Sequence, residues 1–219
     1  MQDKNTFSWA TKLTDSEFSE LIESSSLISY NKNETIIKQG SLASQILVLE
    51  EGFVKLNLEI KGKDSTFGFS VNGDFIGLMC SFVIKKLDFS AIAVTTSKVR
   101  IFDRNIFEKL IKENGEFALD LISTMSEMTN SAIHNLLIIN HRNVNGALAL
   151  LLLRLHKLFN SKNFSLPFTR EEMARSLAYS KESIINTLSD FQKDEIIKVS
   201  GKNISILKLE SLKLIAENG

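Results

Sequence analysis

Residues 168–192 read FTREEMARSLAYSKESIINTLSDFQ, and two hydroxyl residues in this stretch, Thr169 and Ser180, each stand where a helix would begin. Thr169 is placed as an N-cap, and Glu172 three residues later completes a capping box. Met173, Ala174 and Leu177 then face inward, and the helix ends near Ala178 and Tyr179. Ser180 caps a second helix, in which Ile184, Leu188 and Phe191 step by four and three and define one buried face. Lys181, Glu182, Ile185, Asn186 and Ser189 are left elsewhere on that helix, largely toward solvent. Directly afterwards IIKVSGKNISILKL (196–209) predicts two short strands around Ser200-Gly201-Lys202-Asn203. The pattern is a helix–turn–helix followed by a β wing.

Such a unit fits the major groove of B-DNA, which at about 12 Å admits one helix while the preceding helix crosses the backbone. Thr169, Arg170 and Ser180 are sited for phosphate, because backbone N–H groups and the dipole at a helix N-terminus favour anions. Glu182 matches a cytosine amino group, Asn186 adenine N6 and N7, and Lys181 guanine. Ile185, Ser189 and Lys202 complete the candidate DNA-contacting set. The competing reading is a plain helical bundle, in which an exposed Lys-Glu pair is a solvated face.

Composition does not choose between these. The chain has 219 residues, 26 basic and 26 acidic, and from Phe164 to Gly219 there are eight of each, so even the candidate DNA module is neutral. With 43% hydrophobic and 24% charged residues the mix is globular rather than disordered. No run approaches the ~18 apolar residues of a membrane helix, and MQDKNTFSWATKL lacks the pattern of a secretion signal. A soluble cytoplasmic protein with no membrane partner is expected. The single cysteine, Cys80, excludes an internal disulfide, a multi-cysteine zinc site and an iron–sulfur cluster. No metal site is expected.

Upstream, residues 1–115 read as β. FVKLNLEI (53–60) alternates Val54, Leu56, Leu58 and Ile60 with polar residues, STFGFSV (65–71) repeats the period with Phe67, Phe69 and Val71, and QILVLE, AIAVTT and KVRIF follow suit. Turns such as Asn72-Gly73-Asp74 separate them, which suggests an antiparallel barrel or roll. TDSEFSELIESS (14–25) precedes them as a short helix with a capping box from Thr14 to Glu17. Residues 116–142 form a second region, a helix and hinge, whose helix from 116 to 141 is a rod of about 39 Å. In it Ala118, Leu121, Met125, Met128, Ala132, Asn135 and Ile139 recur at three- and four-residue steps, a seam for a second copy of the chain. A second stripe of Ile122, Ile133, Leu136 and Leu137 broadens the apolar surface, so that one flank can pack on the β region while the seam meets its copy, unless both stripes are buried within one chain. From Val144, VNGALALLLLRLHKLF is an apolar helix expected to floor a third region, 143–219, so the expected class is α+β.

Four stretches together resemble the catabolite-activator/fumarate-nitrate-regulator (CRP/FNR) family of bacterial transcription factors: KNETIIKQGSLASQILVLEEGFVKL (32–56), VNGDFIGLMCSF (71–82), IFDRNIFEKLIKENGEFALDLISTM (101–125) and residues 169–206. The resemblance implies an N-terminal jelly-roll-like sensory β-roll, a dimerisation helix and a winged helix–turn–helix. It also implies a homodimer on double-stranded DNA with half-sites about 34 Å apart, and it admits RNA polymerase as a further partner. Cyclic-AMP-binding members of the family carry a Glu after the glycine turn and an Arg-Ser/Thr pair before the next strand. Here Leu78 and Phe89-Ser90 stand in those places, so cyclic nucleotide is not expected. The resemblance leaves Phe75, Gly77, Leu78, Met79, Phe82, Phe89, Ser90, Met128 and Ala132 as an apolar effector pocket, open to an apolar ligand, to haem or to filling by its own side chains. His134 and Cys80 are the candidate haem ligands. A ligand-free scaffold carrying a constitutive DNA-binding dimer is the alternative. A cupin-like metalloenzyme is not, because His134, His141 and His156 all fall in helices outside the roll.

Overall fold

Glycine-containing turns cut the first hundred residues into short strands, and one of them, β3, explains the architecture around it. The computed structural model describes residues 7–83, 86–141 and 143–219, excepting the side chains of 63, 65, 83 and 131–141. Two compact units result, Met1–Ser131 and Ala132–Gly219.

In the first unit, helix α1 (Asp15–Glu23) is followed by strands β1 (Ser26–Tyr30), β2 (Thr35–Ile37), β3 (Gln45–Glu51), β4 (Val54–Ile60), β5 (Lys63–Ser70) and β6 (Phe75–Ile76). Helix α2 (Leu78–Val83), β7 (Ser90–Ala93), β8 (Ser97–Asp103), α3 (Arg104–Glu113) and the part of α4 (Gly115–His141) up to Ser131 complete it. The strands form two four-stranded sheets, β1-β8-β3-β6 and β2-β7-β4-β5, antiparallel throughout. In β3, Leu47 and Leu49 join a core built from both sheets, whereas Ile46 and Val48 join a second core under the helices. Both faces of β3 are covered, which is why QILVLE is continuously apolar rather than alternating. The second core is aromatic: Trp9 lies 5.2 Å from Phe75 and 5.7 Å from both Phe102 and Phe107, centroid to centroid. A 3₁₀ turn at Ser8–Ala10, which periodicity did not reveal, carries that tryptophan in.

The expectation of one buried face along STFGFSV is corrected. Pairing shifts between Leu56 and Asn57, so that Leu56 opposes Gly68 and Asn57 opposes Thr66. Phe67 is the extra residue of the bulge, exposed and re-aimed, while Phe69 stacks on Phe53 at 5.1 Å. A buried ion pair of Arg100 on β8 with Glu50 on β3, joined by the Ser25 hydroxyl 2.9 Å from Arg100, ties the helix-side sheet together.

The entry into α4 contains a break that was not read from the sequence. Asn114 leaves helical geometry between α3 and α4, accepts from the Phe117 N–H at 3.0 Å, and donates to Glu17 of α1. Glu17 is itself held below its usual carboxylate pKa, first by the Thr14 backbone N–H of the predicted capping box.

The second unit contains α5 (Val144–Phe159), β9 (Asn163–Ser165), α6 (Arg170–Leu177), α7 (Lys181–Lys193), β10 (Ile197–Ser200), β11 (Asn203–Ile206) and α8 (Leu209–Asn218). Helix α5 is its apolar floor, with Ala147, Leu148, Leu151, Leu152 and Leu155 buried. Two elements here were missed: β9, which adds a third strand to the wing sheet in the order β10-β11-β9, and α8, which packs on α5. The packing of α8 is close enough to need glycine, since a Cβ on Gly146 would lie 2.7 Å from the Gly219 backbone.

Candidate nucleic-acid interface

The two caps read from the sequence are both formed. Thr169 Oγ1 accepts from the Glu172 N–H at 3.2 Å while Glu172 reaches back to the Thr169 N–H at 2.8 Å, and Ser180 Oγ accepts from the Ser183 N–H at 3.0 Å. Between them Ala178 adopts left-handed geometry, φ +59°, and its N–H satisfies the last carbonyls of α6. Helix α7 is then pinned by its inner face, with Ile184, Leu188 and Phe191 buried as expected. Sequence reading passed over Thr187, which is only 3% exposed and donates to Asn145 of α5 at 3.2 Å. Its position, three residues past Ile184 and four before Phe191, was the available signal; its hydroxyl concealed it.

With that face locked, Lys181, Glu182, Ile185, Asn186 and Ser189 are all exposed on α7. Thr169 and Ser180 are exposed beside them at the helix starts. The wing is held in place by hydrogen bonds: Val199 N–H to Gln192 Oε1 at 3.0 Å, Leu166 N–H to the Lys202 carbonyl at 2.8 Å, and Arg170 Nη2 to the Gly201 carbonyl at 2.9 Å. Arg170 is thus half-buried and engaged with the wing turn, and burial lowers its pKa from the ordinary arginine value. Lys202 stands exposed at the tip of that turn. A shallow cavity of about 240 Å³ separates recognition helix and wing.

The described residues of the group assigned to an effector pocket are divided between two buried cores and the surface. Phe75 and Leu78 are buried in the aromatic core under the helices, with Phe82 and Met128 packed against it. Phe89 belongs to the other core, between the sheets. Its ring comes within 3.2 Å of where a Cβ on Gly77 would lie, a residue at φ +76°, and Phe67 meets it edge-on at 5.7 Å. The Ser90 hydroxyl accepts from the Gln39 N–H at 3.0 Å and so links β7 to the chain after β2. Met79 is exposed, and the side chain of Ala132 lies outside the described residues. The acid of the glycine turn is also used internally: Asp74 accepts from the Val71 N–H at 2.8 Å, and burial raises its pKa. Cys80 is half-buried, and burial pushes its thiol pKa up. The side chains of His134 and His141 lie outside the described residues, while His156 Nδ1 sits 2.9 Å from the Ser161 carbonyl at the end of α5. Among the described residues no group of three or more His, Cys, Asp or Glu could hold a metal ion.

On α4 the seam assignment of Leu121 is corrected. Leu121, placed in the seam, is 3% exposed and lies in the aromatic core with Phe117, and Met125 and Met128 pack against the same core. The outward strip is Leu119 and Ile122, 62% and 58% exposed, continued by Ser123 and Ser126. The roll thus covers Leu121 of the stripe given to the partner, while Ile122 of the second stripe is open. Ser123 and Ser126 donate to the carbonyls of Leu119 and Ile122, so the outward strip carries hydroxyls already satisfied within the helix. The side chains of Ala132, Ile133, Asn135, Leu136, Leu137 and Ile139 lie outside the described residues.

Comparison with known proteins follows the same division of the chain. Residues 27–114 match the model of the cyclic nucleotide-binding domain, and residues 146–215 that of the Crp-like helix-turn-helix domain. Electron transport regulator A of Shewanella oneidensis is 28% identical over 193 residues, covering 85% of this chain and 77% of that protein. The fumarate and nitrate reduction regulatory protein of Vibrio cholerae is 26% identical over 191 residues, covering 84% and 76%. The structure of FixK2 from Bradyrhizobium japonicum superposes with a TM-score of 0.77 at 21% identity, covering 87% of this chain and 96% of that one. A transcriptional regulator of the crp/fnr family from Eubacterium rectale reaches 0.78 at 17% identity, covering 98% and 100%. The curated relatives are regulators rather than enzymes. Among the described residues no helix is long and apolar enough to cross a membrane.

Proposed function

The chain belongs to the CRP/FNR family of transcription regulators, and on that premise we propose that it reads a two-fold symmetric DNA site as a homodimer, through α7, with a roll that does not take cyclic AMP. The observation that carries the reading is the division of α7: Ile184, Thr187, Leu188 and Phe191 are locked against the domain while Lys181, Glu182, Ile185, Asn186 and Ser189 are all exposed. Thr169, Ser180 and Lys202 surround them as backbone contacts, and Arg170 acts by holding the wing. RNA polymerase is a further partner that this role would bring, and the cytoplasm is where it would be exercised.

Asn186→Ala tests base readout. Specific binding should weaken by about 1–3 kcal/mol while binding to random DNA stays unchanged, measured by titration of both DNAs at one salt concentration. Equal loss on both would remove Asn186 from base recognition.

For the roll, the cation and acid that a cyclic nucleotide requires are replaced by Phe89 and Leu78, and the surviving Ser90 hydroxyl is engaged with Gln39. A haem bound through Cys80 would need a thiolate, which burial at that position disfavours. A second reading follows from the packing of Phe89 over Gly77: the roll is a ligand-free scaffold and the dimer binds DNA constitutively. Absorbance and native mass spectrometry of the purified protein separate the two, since a sensing roll would carry a chromophore or a co-purifying small molecule.

A further inference from the structure

Of the eight side chains exposed on α7, seven offer hydrogen bonds or charge; Ile185 offers neither, yet it is 45% exposed beside Asn186. It stands one turn from Glu182 on one side and from Ser189 on the other, and Asn186 is its chain neighbour. It also borders the cavity between α7 and the wing, whose lining adds Leu188 and Val199 to it and closes with Arg170, Ser189 and Gln192. A lone exposed aliphatic residue is ordinary on a protein surface. Here, however, the residue sits where hydrogen-bonding side chains on both sides would bring it against base edges. On those edges the major groove presents one apolar group, the C5-methyl of thymine.

Resting on the reading of α7 as the recognition helix, we propose that Ile185 is a specificity-determining residue that selects a thymine in each half-site by contact with its C5-methyl. The neighbouring polar side chains set the register, and Ile185 then rewards thymine and leaves cytosine, with a bare C5 edge, without that contact. The discrimination is apolar, so it acts without adding charge to residues 164–219, in which eight basic and eight acidic residues already balance.

The test uses the full-length protein and its site selected from random DNA. Each thymine is replaced in turn by deoxyuridine, which removes the methyl and leaves every hydrogen-bonding atom in place. Replacement in one half-site is expected to weaken the wild type roughly fourfold, the value of one buried methyl-sized group, and replacement in both roughly fifteenfold. Ile185→Ala should bind the thymine and deoxyuridine sites equally, and Ile185→Val should keep most of the difference. Alanine suits an exposed helical position, so the variant should fold, and its melting curve checks this. If wild type and Ile185→Ala respond alike to every replacement in a site both bind specifically, the assignment of Ile185 is overturned while DNA recognition by α7 stands. If selection returns no preferred site, the recognition reading itself fails, and this proposal with it.

Discussion

Ile122→Glu is expected to yield a folded monomer whose affinity for a two-half-site operator has fallen by at least about a hundredfold. The residue is 58% exposed on α4 beside Leu119, so its own roll loses little packing when it changes. Across a two-fold axis the same substitution sets two carboxylates against each other in an apolar strip, where neither has a partner charge. Once the copies separate, the second reading head no longer benefits from the effective concentration set by the first, a gain of about 10²–10⁴ in linked systems. Sedimentation should show the monomer, and binding to a single half-site should be nearly unchanged. Leu121→Glu provides the contrast: that side chain lies in the aromatic core, so the roll itself should fail. An intact Ile122→Glu dimer with wild-type operator affinity would show that self-association uses another surface.

The burial of Leu121 on α4 marks where local pattern stops being informative. Leu121, Met125 and Met128 recur at coiled-coil spacing, and so do Leu119, Ile122 and Ser126. Both are regular, so periodicity says that two faces exist and not which of them a distant segment will cover. That is settled by Trp9, Phe75, Phe102 and Phe107, residues from elsewhere in the chain that build the core into which Leu121 fits. The bulge at Phe67 escapes for the same reason, because register belongs to the pairing of β4 with β5 and not to either strand.

The helix–turn–helix was legible because its determinants are local. A capping box spans three residues, the N-cap at Ser180 acts on Ser183, and the inner face of α7 repeats within four positions. The exposed residues could therefore be named by subtraction. What local reading missed was polar burial and long-range bracing: Thr187 bonds across 42 positions to Asn145, and Arg170 across 31 to Gly201. Helix α8 carried a usable signal in Leu209, Leu212 and Ala216, but no side-chain cap marks its start.

The sharpest test of a roll filled by its own side chains is Leu78→Glu, which puts the carboxylate of cyclic-AMP-binding members at the matching position. Leu78 is 1% exposed and belongs to the core that contains Phe75, Phe102 and Phe107. A carboxylate held there without a partner should cost about 3–5 kcal/mol when ionised, a large share of the 5–15 kcal/mol that a domain ordinarily has. Burial favours the neutral acid, so the folded-state pKa of the new glutamate should rise above its unfolded value of about 4.3. Between those two values the folded protein keeps a proton that the unfolded chain has released, so stability falls as pH rises through that window. The deficit relative to wild type should therefore be smaller near pH 5 than near pH 8, read as the shift in urea midpoint at each pH. Were Leu78 at the rim of an open pocket, its replacement would change stability by roughly 0.5 kcal/mol or less, with no dependence on pH. Adding Phe89→Arg should not rescue the variant, because the ring it removes packs in the other core, with Leu87 and Ile76. A double variant that regained stability and bound cyclic AMP would show instead that the two positions still share one site.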